Sequence, residues 1–262
     1  MLIEIVKDYD ELSRRAARRV VAALRRKPDL VLGLATGSTP IGLYRELARL
    51  YRKGELDLSR VTTFNLDEYY GLPASHEESY HHFMQEHLFK YVNVDPRRTH
   101  IPDGRTADVK EECERYEKLL AESGWVDLQV LGIGGNGHIG FNEPGTDFGA
   151  STHLIDLAPA TIRANARFFP SPEDVPRQAI SMGIKTIMHS REIVLLASGP
   201  DKAKAIQATA EGPVTSDVPA SVLQLHRNAV IIVDRAAAGL LAHRTSVARA
   251  VSPPDPDDVM SV

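Results

Sequence analysis

Short apolar runs alternate with amphipathic stretches along most of this chain. Leu2-Ile3-Glu4-Ile5-Val6 alternates and predicts a first strand. Asp8 with Glu11 three residues on is a capping-box pattern, and the helix it starts should reach about Lys27. Leu30 to Leu34 is a continuous apolar run, as for a strand covered on both faces. Thr39 as N-cap and Pro40 as first helical residue predict a helix through Leu50. A β-rich run, Val61 to Leu66, ends at Asp67-Glu68-Tyr69-Tyr70-Gly71; Ser79 to Phe89 and Asp108 to Ser123 read as helices. Asp127 to Gly132 is a strand feeding a glycine-rich loop. Strands then follow at Thr152 to Leu157, Ala179 to Gly183, Glu192 to Ala197 and Ala229 to Asp234. Helical segments fall at Pro159 to Phe168, Asp201 to Glu211 and Ala220 to His226, and a helix of Ala and Leu should close the fold.

Strands that alternate with helices give an α/β fold: a single-domain, mostly parallel open sheet with helices on both faces, Rossmann-like. The expected catalytic unit is 1–251, and the Pro- and Asp-rich tail, 252–262, lacks the apolar residues to fold. In such a sheet ligands bind beyond the carboxyl ends of the strands. Four loops leave strands there: Thr36 to Pro40, Asp67 to Gly71, Gly132 to Pro144 and Ser198 to Lys202.

Composition narrows the class. A hydrophobic fraction of 43% and a charged fraction of 25% are those of an ordinary globular protein. A formal net charge of -4 argues against nucleic-acid binding, and the Arg pairs between Arg14 and Arg26 sit at helical spacing, as on a solvated face. Cys113 is the single cysteine, so no intrachain disulfide can form. No signal peptide opens the chain, and no apolar run nears the roughly 18 residues of a membrane span. The expectation is a cytoplasmic protein with no nucleic-acid or membrane partner.

Candidate chemistry sits in the four loops. Gly132, Gly134 and Gly137 satisfy the dinucleotide fingerprint, but Gly140, Pro144, Gly145 and Gly149 break the helix that should follow. A nicotinamide or flavin site is therefore not expected. Thr36-Gly37-Ser38-Thr39, before a helix, suits a single phosphate, with a plain N-cap as the alternative. Asp67, beside Tyr69 and Tyr70 at the ligand edge, is a candidate base or a turn aspartate. His76 and His81 have one residue too many between them for a shared metal, and no metal site is expected. His138 lies in a loop with too many glycines to pack as a core histidine; Glu143 could orient it and Asn136 could bond its other nitrogen. Arg167 and Lys202 are candidate phosphate partners or solvated surface charges.

The chain closely resembles the glucosamine-6-phosphate deaminase (isomerase) family. The matching stretches run in order to about His226: Ala35 to Pro40, Phe64 to Tyr69 with Gly71-Leu72-Pro73, Glu78-Ser79-Tyr80, Gly137 to Pro144, Arg163 to Phe169 and Leu223 to His226. The resemblance implies conversion of glucosamine 6-phosphate and water to fructose 6-phosphate and ammonia, in amino-sugar (N-acetylglucosamine) catabolism, without metal or organic cofactor. It implies that His138 opens the pyranose ring, tuned by Glu143 and Asn136, and that Asp67 moves the proton from C2 to C1. Gly37, Ser38, Thr39, Arg167 and Lys202 would hold the phosphate. Part of the family has aspartate at the position of Asn136. Hexameric members bind N-acetylglucosamine 6-phosphate through Arg and Lys after the Asn-Glu-Pro motif. Ser151 to Asp156 offers neither residue, so weak or absent activation is expected, with either a monomer or a homo-oligomer (up to a hexamer) as the assembly. A 6-phosphogluconolactonase-type hydrolase is the nearest alternative, and a sugar-phosphate-sensing regulator domain a second; the chain carries no added DNA-binding segment.

Overall fold

The computed structural model describes residues 1–242. Its strands are β1 (Leu2–Val6), β2 (Val31–Leu34), β3 (Thr62–Asn65), β4 (Asp67–Tyr69), β5 (Thr99–His100), β6 (Leu128–Leu131), β7 (His153–Asp156), β8 (Gln178–Ser181), β9 (Glu192–Ala197) and β10 (Ala229–Asp234). The helices are α1 (Tyr9–Arg26), α2 (Ile41–Arg52), α3 (Tyr80–His87), α4 (Val109–Glu122), α5 (Pro159–Asn165), α6 (Ile184–Met188) and α7 (Ala203–Glu211). Seven strands form a parallel sheet in the order β1-β10-β9-β6-β2-β3-β5.

The apolar runs are continuous because both faces of this sheet are covered. Leu32, Val130, Val194 and Ile232 pack under α1, α2 and α3 with Leu12, Leu47 and Met84. Their neighbours Val31, Leu131, Ile193 and Ile231 pack on the other face with Tyr116 of α4, Ile187 of α6 and Ile206 of α7. Successive strand residues thus serve opposite cores, the period of two that a pleated strand imposes. Helix α1 starts as its sequence predicts: Asp8 accepts from the Glu11 N–H at 2.9 Å, and Glu11 reaches back to the Lys7 N–H at 2.7 Å. Among the described residues no helix is long and apolar enough to cross a membrane.

From the centre the chain runs outward two ways, through β3 and β5 on one side and through β9, β10 and β1 on the other. The divide between β2 and β6 is therefore a topological switch point, where strand-end loops part and leave a crevice. The Thr36 to Pro40 turn leaves β2 and the glycine loop leaves β6, so the two flank that crevice.

Three expectations need correcting. Asp67 to Gly71 is not simply a loop: β4 pairs antiparallel with β8, and β8 with β7, in a second, three-stranded sheet. The Ala179 to Gly183 and Thr152 to Leu157 runs belong to this sheet, and only their pairing partners, distant in sequence, could reveal that. Thr39 does not cap α2; Pro40 takes that position without a side-chain bond. The Tyr9 hydroxyl, from α1, accepts from the Gly42 N–H at 2.8 Å and does the capping instead. After β10 the backbone makes turns over 235–240 rather than a helix. The remainder of that expected helix and the tail from Ser252 lie outside the described residues.

Candidate active site

Three of the four strand-end loops and the first residue of β4 line one cavity of about 510 Å3. Its walls include Gly37, Ser38, Thr39, Asp67, Asn136, His138 and Lys202. Topology alone places their backbones on one edge; the side chains converge because each loop is separately tethered.

The Thr36 to Pro40 turn is held from below by two tyrosines. Tyr44, fully buried in α2, donates to the Ala35 carbonyl at 2.5 Å. The Tyr9 hydroxyl lies 3.0 Å from both the Ser38 and the Thr39 carbonyls. With carbonyls drawn away from the cavity, the N–H groups of Gly37, Ser38 and Thr39 donate to no described residue. Gly37 has φ +91°, a left-handed conformation that a side chain would strain. Unpaired N–H groups at the start of a helix make an anion site. Lys202 is presented by another braced loop. Asp234, at the end of β10, accepts from the Ser198 hydroxyl at 2.6 Å and from the Gly199 N–H at 3.0 Å.

Asp67 opens β4 with its carboxyl buried at 5% exposure. Neither oxygen accepts a hydrogen bond from any described residue. Burial, reinforced by the neighbouring charge of Glu68, raises its pKa from the ordinary 3.8 to about 8. Glu68 points elsewhere, since successive strand side chains alternate. Its buried carboxylate accepts the Tyr69, Tyr80 and His81 N–H groups and lies 3.0 Å from the His81 Nδ1, tying β4 to the start of α3. That tie brings Tyr80 into the cavity wall, where its ring stacks on Phe141 at 6.1 Å.

The glycine loop is built around His138. Gly134 donates to the His138 carbonyl, and a Cβ at Gly134 would sit 2.3 Å from the imidazole Cε1, so only glycine leaves room for the ring. Asn142 donates to the Ile139 and Met182 carbonyls, locking the loop onto the end of β8. The Asn136 amide donates to Glu143 Oε2 at 2.7 Å, and its oxygen accepts from the His138 backbone N–H at 3.2 Å. Asn136 therefore does not bond the second ring nitrogen, as the sequence suggested; it braces the carboxylate that orients the ring. The His138 Nδ1 lies 3.4 Å from Glu143 Oε2, a charge-pair distance rather than an aligned hydrogen bond. Burial would raise the Glu143 pKa, but His138, Thr161 and Asn136 outweigh it and hold the carboxyl at about 2. A carboxylate so held only accepts, which favours the proton on Nδ1.

Arg167 is not brought in. It follows α5, exposed, with its guanidinium 4.7 Å from the Phe168 ring, and does not line the cavity. Conversely, Tyr9, Tyr44, Thr161 and Asp234 support the site without having been singled out by the sequence. Each acts on a residue well beyond a helical turn or a tight loop, from 9 to 36 positions away, and no local spacing signals that.

The next helix after the glycine loop begins only at Pro159, which removes the dinucleotide reading on structural grounds as well. Comparison with known proteins shows the family. The family model described as glucosamine-6-phosphate isomerases/6-phosphogluconolactonase matches residues 7–232. A glucosamine-6-phosphate deaminase of Halothermothrix orenii is 56% identical over 92% of this chain and 100% of its own. Glucosamine-6-phosphate deaminase 2 of Bacillus subtilis is 56% identical over 91% and 96%. Among solved structures, a monomeric glucosamine-6-phosphate deaminase superposes with a TM-score of 0.90 at 48% identity, over 92% of this chain and 100% of that one. A 6-phosphogluconolactonase of Trypanosoma cruzi shares the fold at a TM-score of 0.71 and 21% identity, over 92% and 97%. With family model, sequence and fold in agreement over nearly the whole described chain, this protein belongs to the glucosamine-6-phosphate isomerase/6-phosphogluconolactonase family.

Proposed function

We propose that the chain deaminates glucosamine 6-phosphate, taking up water and releasing fructose 6-phosphate and ammonia. One observation carries this reading: Asp67, buried with both oxygens unpaired, lines the same cavity as the braced imidazole of His138. A proton shuttle between C2 and C1 needs such a carboxylate; hydrolysis of a lactone does not. Relatives about half identical to this chain are named as deaminases, whereas a solved 6-phosphogluconolactonase with the same fold is only 21% identical.

The phosphate would sit on the Gly37, Ser38 and Thr39 turn with Lys202 as counter-charge. Arg167 would have to leave Phe168 and swing inward to join them. Anchored there, the sugar presents its ring to the two acid–base groups, so binding energy remote from the reacting carbons serves the chemistry. With Nδ1 facing Glu143, the His138 Nε2 is free to move the proton from the C1 hydroxyl to the ring oxygen, opening the ring. Asp67 as carboxylate then takes the C2 proton, and the electron pair passes to the C1 aldehyde oxygen, which takes a proton from the substrate's own ammonium group, giving an enolamine. Asp67 returns the proton to C1, leaving a protonated imine at C2. Water adds to that carbon, the C–N bond breaks hydrolytically, and ammonia departs.

The deciding assay offers the purified chain glucosamine 6-phosphate and 6-phosphogluconolactone in parallel. Ammonia released from the first and no acceleration of the second is expected; the reverse would sink the assignment. Two further outcomes follow from the braces. Lys202→Met and Asp234→Asn should each raise KM for glucosamine 6-phosphate about tenfold or more, with kcat little changed, since a charge-assisted contact common to ground and transition states is lost or misplaced. Initial rates over a substrate series check this.

Regulation should be simple. Over 151–156 no Arg or Lys is present, Asp156 is engaged by the Gln178 amide at 2.9 Å, and Thr152 is held by Glu117. N-acetylglucosamine 6-phosphate should therefore leave the rate curve unchanged. A sigmoidal curve that this compound turns hyperbolic would contradict the expectation.

A further inference from the structure

Helix α5 is mostly exposed, yet one of its side chains, Thr161, is buried at 5% exposure. Its hydroxyl donates a short hydrogen bond to Glu143 Oε1. The same oxygen accepts the Ala158 N–H, just before the helix, at 3.2 Å. The other oxygen, Oε2, carries the Asn136 bond and faces the His138 Nδ1. Glu143 is therefore gripped from two sides: one oxygen by the α5 segment, the other by the glycine loop. The glycine loop alone does not define its rotamer. Asn136 fixes Oε2 by a single bond, about which the carboxylate can turn away from a ring nitrogen 3.4 Å off.

We propose that Thr161 is a positioning residue for the deamination: its hydroxyl holds Glu143 in the one rotamer that keeps His138 in its working tautomer. Threonine suits the task, because its β-branch leaves few side-chain rotamers on a helix and its hydroxyl can serve as donor to an ionised carboxylate. The other residues that α5 contributes to the cavity wall are Ala160, Ala164 and Asn165. The segment that closes this wall over the sugar is thus the one that orients the ring-opening group. The titratable groups around the pair are Asp67, Tyr80 and Lys202 on the same cavity, and none of them bonds Glu143.

The inference rests on the deaminase reading, and its test separates the two. Thr161→Val keeps the shape and removes the donor; Thr161→Ser keeps the donor and removes a methyl. Thr161→Val should lower kcat for ammonia release about 10- to 100-fold, the range for losing a hydrogen bond to a charged group, with KM within about threefold. Thr161→Ser should recover most of the rate. Nitrogen NMR of the His138 ring, assigned with a His138→Gln variant and recorded on the neutral imidazole without substrate, should show a proton on Nδ1 in the parent and in Thr161→Ser, and a mixture in Thr161→Val. A Thr161→Val protein with unchanged kcat, or with the rate lost but the tautomer intact, or a serine variant no better than valine, would overturn the role. If the parent chain released no ammonia, the functional reading would fall while the tautomer measurement still decided the part of Thr161.

Discussion

Asp67→Asn is expected to lose ammonia release by roughly 10²–10⁴-fold, the contribution of a positioned general base, and yet to unfold less readily at alkaline pH. The amide fits the same space but cannot take a proton from C2. Exchange of the C2 hydrogen with deuterated solvent should stop along with deamination, and exchange that survived undiminished would remove Asp67 from the mechanism. The gain in stability comes from the same burial. Raised from 3.8 to about 8 in the folded chain, the carboxyl resists ionisation there and not in the unfolded chain. Folding therefore carries no penalty from Asp67 below about pH 4, a growing one as pH rises, and the full one above about pH 8. The shift corresponds to a penalty on the order of 5 kcal/mol, which the asparagine avoids. Denaturant unfolding followed through the single tryptophan, Trp125, at pH 5 and pH 9 measures it. The parent should fall behind the variant at the higher pH. In the proposed mechanism the working carboxylate is the costly form, an instance of function held against stability. In the free enzyme, kcat/KM should accordingly decline as pH drops below about 8, as the base becomes protonated.

His138→Gln and Gly134→Ala are expected to cost about the same, 10²-fold or more in kcat, and their combination little more than either. The first removes the imidazole. The second leaves it in the sequence but puts a methyl 2.3 Å from its Cε1, so the ring cannot keep its present place beside Glu143. Two changes that destroy one device do not add. Steady-state rates for the two single variants and the double variant decide it. A Gly134→Ala protein with near-parental kcat would mean that the ring tolerates displacement, and that Glu143 does not need to meet Nδ1. Because the sugar still opens slowly in water, each variant should retain C2 exchange on the open-chain fraction, which separates loss of His138 from loss of Asp67.

The sequence was a good guide wherever the governing physics is local. Apolar runs at β2, β6, β9 and β10 read as buried strands because both of their faces meet a core. Asp8, Ser79 and Asp108 read as helix starts because capping spans only three residues, and each accepts the expected N–H. Asp67, His138 and Glu143 were legible as chemistry because polar groups among glycines and strand ends have no packing reason to be there. Thr39 misled: its capping pattern was sound locally, but the Tyr9 hydroxyl had already met the Gly42 N–H.

What the sequence determined by itself was the alternation of strands and helices along most of the chain, the sheet edge on which the loops gather, and the candidate acid–base groups. Those follow from periodicity and from turn and capping chemistry, which act over a few residues, and from the rule that loops at the carboxyl ends of parallel strands share one edge. Tertiary structure alone decided the antiparallel sheet that carries Asp67, the pKa its burial imposes, and the position of Arg167 away from the cavity. It alone decided which partners hold Glu143, with Thr161 and Ala158 on one oxygen and Asn136 on the other. These depend on groups distant in the chain that meet only after the core has closed, and on water excluded by that closure. A hydrogen bond from Thr161 to Glu143 has no signature in spacing. It exists because α5 packs where the glycine loop ends.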